Sequence, residues 1–194
     1  MRFVVSLRWL WCGVLATLLN AGAHAKQCHG IDFPEHLEVT GTGLTLNGLG
    51  LRSATILHVS VYVGALYLAQ PTRDPAAILD APMPSELILQ FVRNVGADDI
   101  RESWDKGFAH YPAAERTAFA DRIARLKSWT EDIKSGERMS FVRLPGRGIQ
   151  MSVKGALKGT LEGDDFARAF LGIWLGDSPP NPQLKRGLLG EPCE

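Results

Sequence analysis

The segment that most constrains the fold is a long apolar run at residues 56–68 (ILHVSVYVGALYL), rich in β-branched and aromatic side chains. Such residues favour strands, and their alternation predicts one strand with two differently composed faces. The alternation predicts that the side chains point to two opposite faces. One face carries Val59, Val61, Val63 and Ala65, and the other carries His58, Ser60 and Tyr62. Gly64 is a candidate β-bulge, which would change the facing of Tyr67. The chain must therefore be built around a sheet.

Further strands are predicted on both sides of this run. Leu44 and Leu46, then Leu49 and Leu51, flank the dipeptide Asn47-Gly48, a strong hairpin signal because both residues accept positive φ. Residues 86–93 (ELILQFVR) read as a strand buried on both faces. Two more strands, at residues 139–144 and 149–153, are joined by the turn at 145–148.

Helices are predicted between and after these strands. A short helix is expected at residues 75–79, and a longer one carries Ile100, Trp104 and Phe108, with Asp98 or Asp99 as its cap. Phe119, Ile123 and Leu126 predict a helix over residues 113–133, and a final amphipathic helix spans 164–175 with Gly176 as its C-cap. Strands, then helices, then strands and a helix indicate an α+β fold with an antiparallel sheet.

The N-terminus has the parts of a secretory signal. Arg2 and Arg8 give a positive start, residues 9–19 (WLWCGVLATLL) are apolar, and Ala23-His24-Ala25 forms an A-x-A cleavage site. The apolar run is short of the roughly 20 residues that a transmembrane anchor needs. Residues 1–25 are therefore predicted to be a cleaved signal peptide and residues 26–194 one exported domain, in the bacterial periplasm and without a later transmembrane span.

Charge and cysteine usage agree with this prediction. The chain has 21 Lys+Arg and 21 Asp+Glu, so loss of Arg2 and Arg8 leaves a slight acidic excess, which excludes the basic balance of a nucleic-acid binder. Cys12 leaves with the signal. Cys28 and Cys193 remain and predict one disulfide, with two free thiols on the chain tails as the alternative. His29 is the one other ligand type beside Cys28, so no metal site is predicted.

The common catalytic and cofactor motifs are missing: there is no G-x-S-x-G, nucleotide-binding glycine loop, H-E-x-x-H or C-x-x-C, and no cofactor is predicted. What remains is Arg52 at the start of the apolar strand and Tyr62 on its polar-alternating face. A guanidinium suits capture of a carboxylate or phenolate, and a phenol adds a second hydrogen bond. The alternative is a surface arginine in a turn beside a structural tyrosine.

Several stretches resemble the chalcone isomerase-like family, in its bacterial exported branch. The first similar stretch lies within residues 48–68, where G-x-G-L-R is followed by V-Y-V-G-A-L-Y-L. Residues 89–93 with the following helix, which holds Trp104 and Gly107-Phe108, resemble the family's central strand and helix. Residues 163–189 resemble its closing segment, where a helix ends in I-W-L-G. The likeness covers most of residues 30–190 and implies an open-faced β-sandwich, a large antiparallel sheet with helices packed on one face, and a ligand cleft between them.

The resemblance also implies roles for site residues. Arg52 matches the arginine with which plant chalcone isomerases stabilise a phenolate during chalcone cyclisation, and Tyr62 falls at their catalytic threonine. Their cleft tyrosine and asparagine have no match in residues 96–103. An Arg/Tyr pair is instead similar to the family's fatty-acid-binding branch, where it holds a carboxylate.

Three hypotheses follow. The first is an exported protein that binds a fatty acid or similar small amphipathic ligand, such as a phenolic, through Arg52 and Tyr62. The second is an isomerase (intramolecular lyase) with Arg52 as its catalytic residue. The third is an envelope interaction protein without a small ligand.

Overall fold

The computed structural model describes residues 25–54 and 59–193. The predicted signal peptide lies outside the described residues except for Ala25, and so does His58. The strands are β1 Ala25–Cys28, β2 Ile31–Pro34, β3 His36–Val39, β4 Thr42–Ala54, β5 Val59–Leu68, β6 Ser85–Phe91, β7 Arg138–Leu144, β8 Gly148–Val153 and β9 Ala156–Glu162. The helices are α1 Pro75–Asp80, α2 Ala97–Phe108, α3 Ala113–Ala118, α4 Ala120–Ser128, α5 Asp164–Leu175 and α6 Pro182–Leu188.

Strands β3 to β9 form one antiparallel sheet in sequence order, and β1 and β2 form a separate hairpin. The described helices pack on one face of the sheet. Their apolar side chains and those of the strands merge into one core cluster that includes Leu89, Phe141, Phe166 and Trp174. The expected α+β architecture, with a large antiparallel sheet and helices on one face, is confirmed.

The opposite face of the sheet is covered in part by the β1–β2 hairpin. Phe33 of β2 is buried there in a second core cluster, together with Val63 and Tyr67 of β5. The Tyr67 hydroxyl donates a hydrogen bond of 2.9 Å to the Pro34 carbonyl oxygen. A disulfide links Cys28 of β1 to Cys193, with 5.7 Å between the two Cα atoms. The hairpin is therefore attached both by packing and by a covalent bond to the C-terminal segment.

The predicted hairpin at Asn47-Gly48 is wrong, because β4 runs straight through both residues. The register with β5 shifts between Leu46 and Gly48, so Asn47 forms a bulge. Its side-chain amide donates to the Leu188 carbonyl oxygen at 2.8 Å and accepts from the Thr72 amide at 2.8 Å. Gly48 lies so close to α6 that an added Cβ would be 2.1 Å from the Gly187 carbonyl oxygen. Asn47 and Gly48 therefore pack against α6 and do not form a turn.

The predicted bulge at Gly64 is also wrong. Gly64 pairs in regular register with Gly50 and Leu89, and it lies under α6. The bulge in β5 falls at Val61, because Arg52 pairs with Tyr62 while Ser53 pairs with Ser60. Val61 consequently leaves the face of Val63 and joins Tyr62 on the side of the helices.

Most helix predictions are confirmed, with two differences. The helix expected over 113–133 consists of α3 and α4, which meet at Phe119, and it ends at Ser128. Neither Asp98 nor Asp99 caps α2; the Ala97 amide donates to the Asp132 carboxylate at 2.8 Å. Helix α5 has the predicted bounds, and the Gly176 amide closes it on the Gly172 carbonyl oxygen. In the described part of the chain, no helix combines the length and apolarity of a membrane span.

Candidate ligand cleft

A cleft of about 660 Å³ lies between the sheet and helix α2, at the end of the sheet where β4 stops and β5 begins. This volume falls in the range of roughly 300–1,000 Å³ that is typical of small-molecule sites. Strand β4 contributes Arg52, β5 contributes Val61 and Tyr62, and the segment after α5 contributes Pro179 and Pro180. The structure thus brings both sequence-predicted ligand-binding residues, Arg52 and Tyr62, to the wall of one cleft.

The strand register explains why these two residues meet. Arg52 is the direct cross-strand partner of Tyr62, and Tyr62 is the partner of Phe91 on β6. The bulge at Val61 shifts the facing of the preceding β5 residues, so Val61 and Tyr62 both face the cleft. Bulges are frequent where a strand must re-aim side chains at a functional site.

Tyr62 is deeply buried, with 9% of its surface exposed. Its hydroxyl oxygen accepts a hydrogen bond of 2.9 Å from the indole Nε1–H of Trp174, and its ring packs 5.5 Å from that of Phe91. Burial raises the pKa of Tyr62 to about 12, while the Trp174 hydrogen bond and the charge of Arg52 oppose this rise. The phenol therefore stays protonated at neutral pH, and its O–H can donate a hydrogen bond.

Arg52 is half-buried and points one guanidinium nitrogen, Nη1, at the carbonyl oxygen of the adjacent Ser53. This bond holds the side chain near the strand end. A guanidinium carries five N–H donors in a rigid fork, so Arg52 has further N–H groups that could bind an anion. Arg52 and Tyr62 together offer positive charge and a neutral O–H donor at one end of the cleft.

The floor of the cleft is apolar. Buried side chains from both layers line it, namely Leu89, Ile100, Trp104, Met139, Ile173 and Trp174. Trp104 is fixed by a hydrogen bond of 3.1 Å from its indole N–H to the hydroxyl of Thr130. Such a surface cannot satisfy polar groups, so it suits apolar groups.

The rim of the cleft carries charged and polar residues of both signs. On α2, Lys106 pairs with Glu102 at 2.7 Å. Asp99 of the same helix and His110, which follows the helix, also line the cleft. Arg93 and Asn94 follow β6, and the Asn94 side-chain oxygen accepts from the Ser135 amide at 2.9 Å. The rim is therefore polar and the floor apolar.

Sequence reasoning missed several cleft residues. Residues 96–103 do line the cleft, through Ile100 and Ser103 among others, although this stretch has neither tyrosine nor asparagine. Asn94 lies just before it. Trp174 lies buried on α5, and the sequence signal for its role is the indole N–H, which usually has a hydrogen-bond partner when buried. Within the described residues, no cluster of His, Cys, Asp or Glu has the makings of a metal site.

Comparison with known proteins agrees with this architecture. The model of the family described as chalcone isomerase-like matches residues 25–190. Among solved structures, the chain is similar to a crystal structure of a fatty-acid binding protein from Arabidopsis thaliana, with a TM-score of 0.62 and 16% identity over 82% of this chain and 92% of that one. At that identity the likeness shows the fold alone. A search of curated proteins finds no match. The chain belongs to the chalcone isomerase-like family.

Proposed function

We propose that this protein binds a fatty acid or a similar small amphipathic carboxylate in the cleft, with Arg52 and Tyr62 holding the head group. The observation that carries the proposal is the cross-strand pairing of Arg52 with Tyr62 on the wall of a cleft with an apolar floor. A carboxylate is an acceptor-only group, and it matches a cation beside a neutral O–H donor. The fatty-acid binding protein with the same fold adds support for ligands of this class.

The protonated state of Tyr62 favours binding over proton abstraction. A phenol with a pKa of about 12 is protonated across the physiological range, so it neither attacks nor removes a proton at neutral pH. Residues 96–103 supply Ile100 and Ser103 to the cleft where the plant isomerases have a tyrosine and an asparagine. These features favour a binder over an isomerase.

The test is a titration of the protein with dodecanoic acid in which calorimetry measures the binding affinity. We expect Arg52→Ala to weaken binding at least tenfold, because a hydrogen bond to a charged group contributes about 1.5–3 kcal/mol. Arg125→Ala, which removes an exposed arginine of α4 that does not line the cleft, is the matched control and should leave affinity unchanged. Native mass spectrometry of purified wild-type protein should show a co-purifying acid.

Equal affinity of wild-type protein and Arg52→Ala for the acid would refute this function. Flavanone formation from naringenin chalcone above the spontaneous rate, abolished by Arg52→Ala, would establish an isomerase in its place. An empty cleft in native mass spectrometry, with binding of neither molecule, would favour the envelope interaction protein.

We further propose that residues 1–25 direct export to the bacterial periplasm and are then removed. The A-x-A site at Ala23–Ala25 and the Cys28–Cys193 disulfide support this, because stable disulfides belong to oxidising compartments. N-terminal sequencing of protein from a periplasmic extract should begin at Lys26; recovery of the intact chain from the cytoplasm would refute export.

A further inference from the structure

We propose that Trp174 is a positioning residue that makes the cleft selective for ionised, acceptor-only head groups. The Trp174 indole N–H donates to the Tyr62 hydroxyl oxygen and so uses the acceptor capacity of the phenol. The O–H of Tyr62 is then the group that hydrogen-bonds to the ligand. This inference rests on the proposed function and adds the residue that sets head-group specificity.

The first step of the argument is the hydrogen-bonding capacity of the two side chains. An indole has a single polar group, the Nε1–H, and it can only donate. The Nε1–Oη distance of 2.9 Å between Trp174 and Tyr62 is that of a well-formed hydrogen bond. A phenol combines one O–H donor with one acceptor oxygen. With its oxygen engaged by Trp174, Tyr62 meets a bound molecule as a donor.

The second step is that the Trp174 indole is held in one orientation. It is 2% exposed and sits near the end of α5. Its ring contacts three other aromatic rings, with centroid distances of 5.2 Å to Phe170, 6.0 Å to Trp104 and 6.2 Å to Phe141. Turning the indole away from Tyr62 would break this packing, so the direction of the N–H is fixed before a ligand arrives.

The third step concerns the ligand. Arg52 has donors and no acceptor, so the Arg52–Tyr62 end of the cleft offers donors from both residues. A carboxylate or phenolate accepts from both. A fatty alcohol or primary amide brings a donor of its own, which Arg52 cannot accept and for which the Tyr62 oxygen, already bonded to Trp174, is a weaker acceptor. Such a head group binds less well beside Arg52 and Tyr62, because a buried donor without a good partner is costly.

The experiment removes one N–H while keeping the shape of the ring. Replacing Trp174 by 3-benzothienylalanine puts sulfur in place of Nε1 and preserves the aromatic packing. The same replacement at Trp129, which packs against the core but does not line the cleft, is the matched control. The affinities of dodecanoic acid and 1-dodecanol are measured for each protein, and the acid-to-alcohol ratio is the readout.

We expect the analogue at position 174 to bind the acid about fivefold more weakly and the alcohol no more weakly than before, lowering the ratio at least fivefold. The analogue at position 129 should keep the wild-type ratio. An unchanged ratio at position 174, with Arg52→Ala still losing the acid, would overturn the role of Trp174 and leave the proposed function standing. If Arg52→Ala binds the acid as wild type does, both fail.

Discussion

Replacing Gly48 by alanine is expected to push helix α6 away from the sheet. Gly48 is buried in β4, and a Cβ placed there would lie 2.1 Å from the Gly187 carbonyl oxygen and 2.8 Å from that of Leu188. Both are backbone atoms, so no side-chain rotation relieves the clash. An ordinary contact requires more than 3.4 Å, and the two backbones must therefore separate by more than 1 Å.

The expected cost follows from what α6 buries. Inserting a methyl group into a packed interior costs about 1–3 kcal/mol where neighbours can adjust. Leu184 and Leu188 of α6 are at most 1% exposed, and losing the burial of one of them would cost about 1.5–3 kcal/mol. Because the obstruction is backbone, we expect the upper end, a loss of about 3 kcal/mol in the free energy of unfolding. For a domain of this size, that lowers Tm by about 6–12 °C.

The assay is urea and thermal unfolding of the oxidised protein. Gly43→Ala is the matched control, because Gly43 lies in the same strand and an added Cβ there meets no described heavy atom within 4 Å. We expect the control to stay within about 0.5 kcal/mol of wild type. If Gly48→Ala is as stable as Gly43→Ala, the close approach of α6 to β4 is not a property of the protein in solution.

Two further perturbations test the site and one helix. The pKa of Tyr62 is about 12 in the folded protein and 10 when unfolded, so the unfolded chain ionises first and stability falls as pH rises from 10 towards 12. Between pH 9 and pH 12, the free energy of unfolding should fall less in Tyr62→Phe than in the wild type, by on the order of 2–3 kcal/mol, as measured by urea titrations at each pH. An equal fall in both proteins would contradict a buried phenol. Asp132→Ala should cost about 1 kcal/mol through the lost bond to the Ala97 amide, and Asp99→Ala less; calorimetry showing the reverse order would identify Asp99 as the cap.

Elements governed by local pattern could be predicted from the sequence. The spacing of Phe166, Phe170 and Trp174 defines one face of α5, and Gly176 ends it, so the helix was predicted with its observed bounds. Helix α6 was missed although Asn181 caps it by accepting from the Leu184 amide. The Pro and Gly residues of this segment are typical of an irregular chain end and not of a helix. The burial of Leu184 and Leu188 depends on β4, which is distant in the sequence.

Features that depend on distant partners could not be predicted. The Asn47-Gly48 pair is a turn signal by itself, and the bonds that keep it in a strand include one to Leu188, 141 residues away. Arg52 and Tyr62 were identified from residue chemistry and resemblance. The hydrogen bond from Trp174 to Tyr62 joins positions 112 residues apart, and no local spacing reports it.

The Cys28–Cys193 disulfide has a consequence for the order of events during synthesis. The two cysteines are separated by 165 residues, so every sheet strand and every described helix is made before the second thiol emerges. Until the bridge closes, the β1–β2 hairpin is held on the sheet by non-covalent contacts, namely its packing and the hydrogen bond from Tyr67 to Pro34. The disulfide can form only when the two cysteines are already close together. It therefore stabilises a fold that non-covalent contacts have already formed.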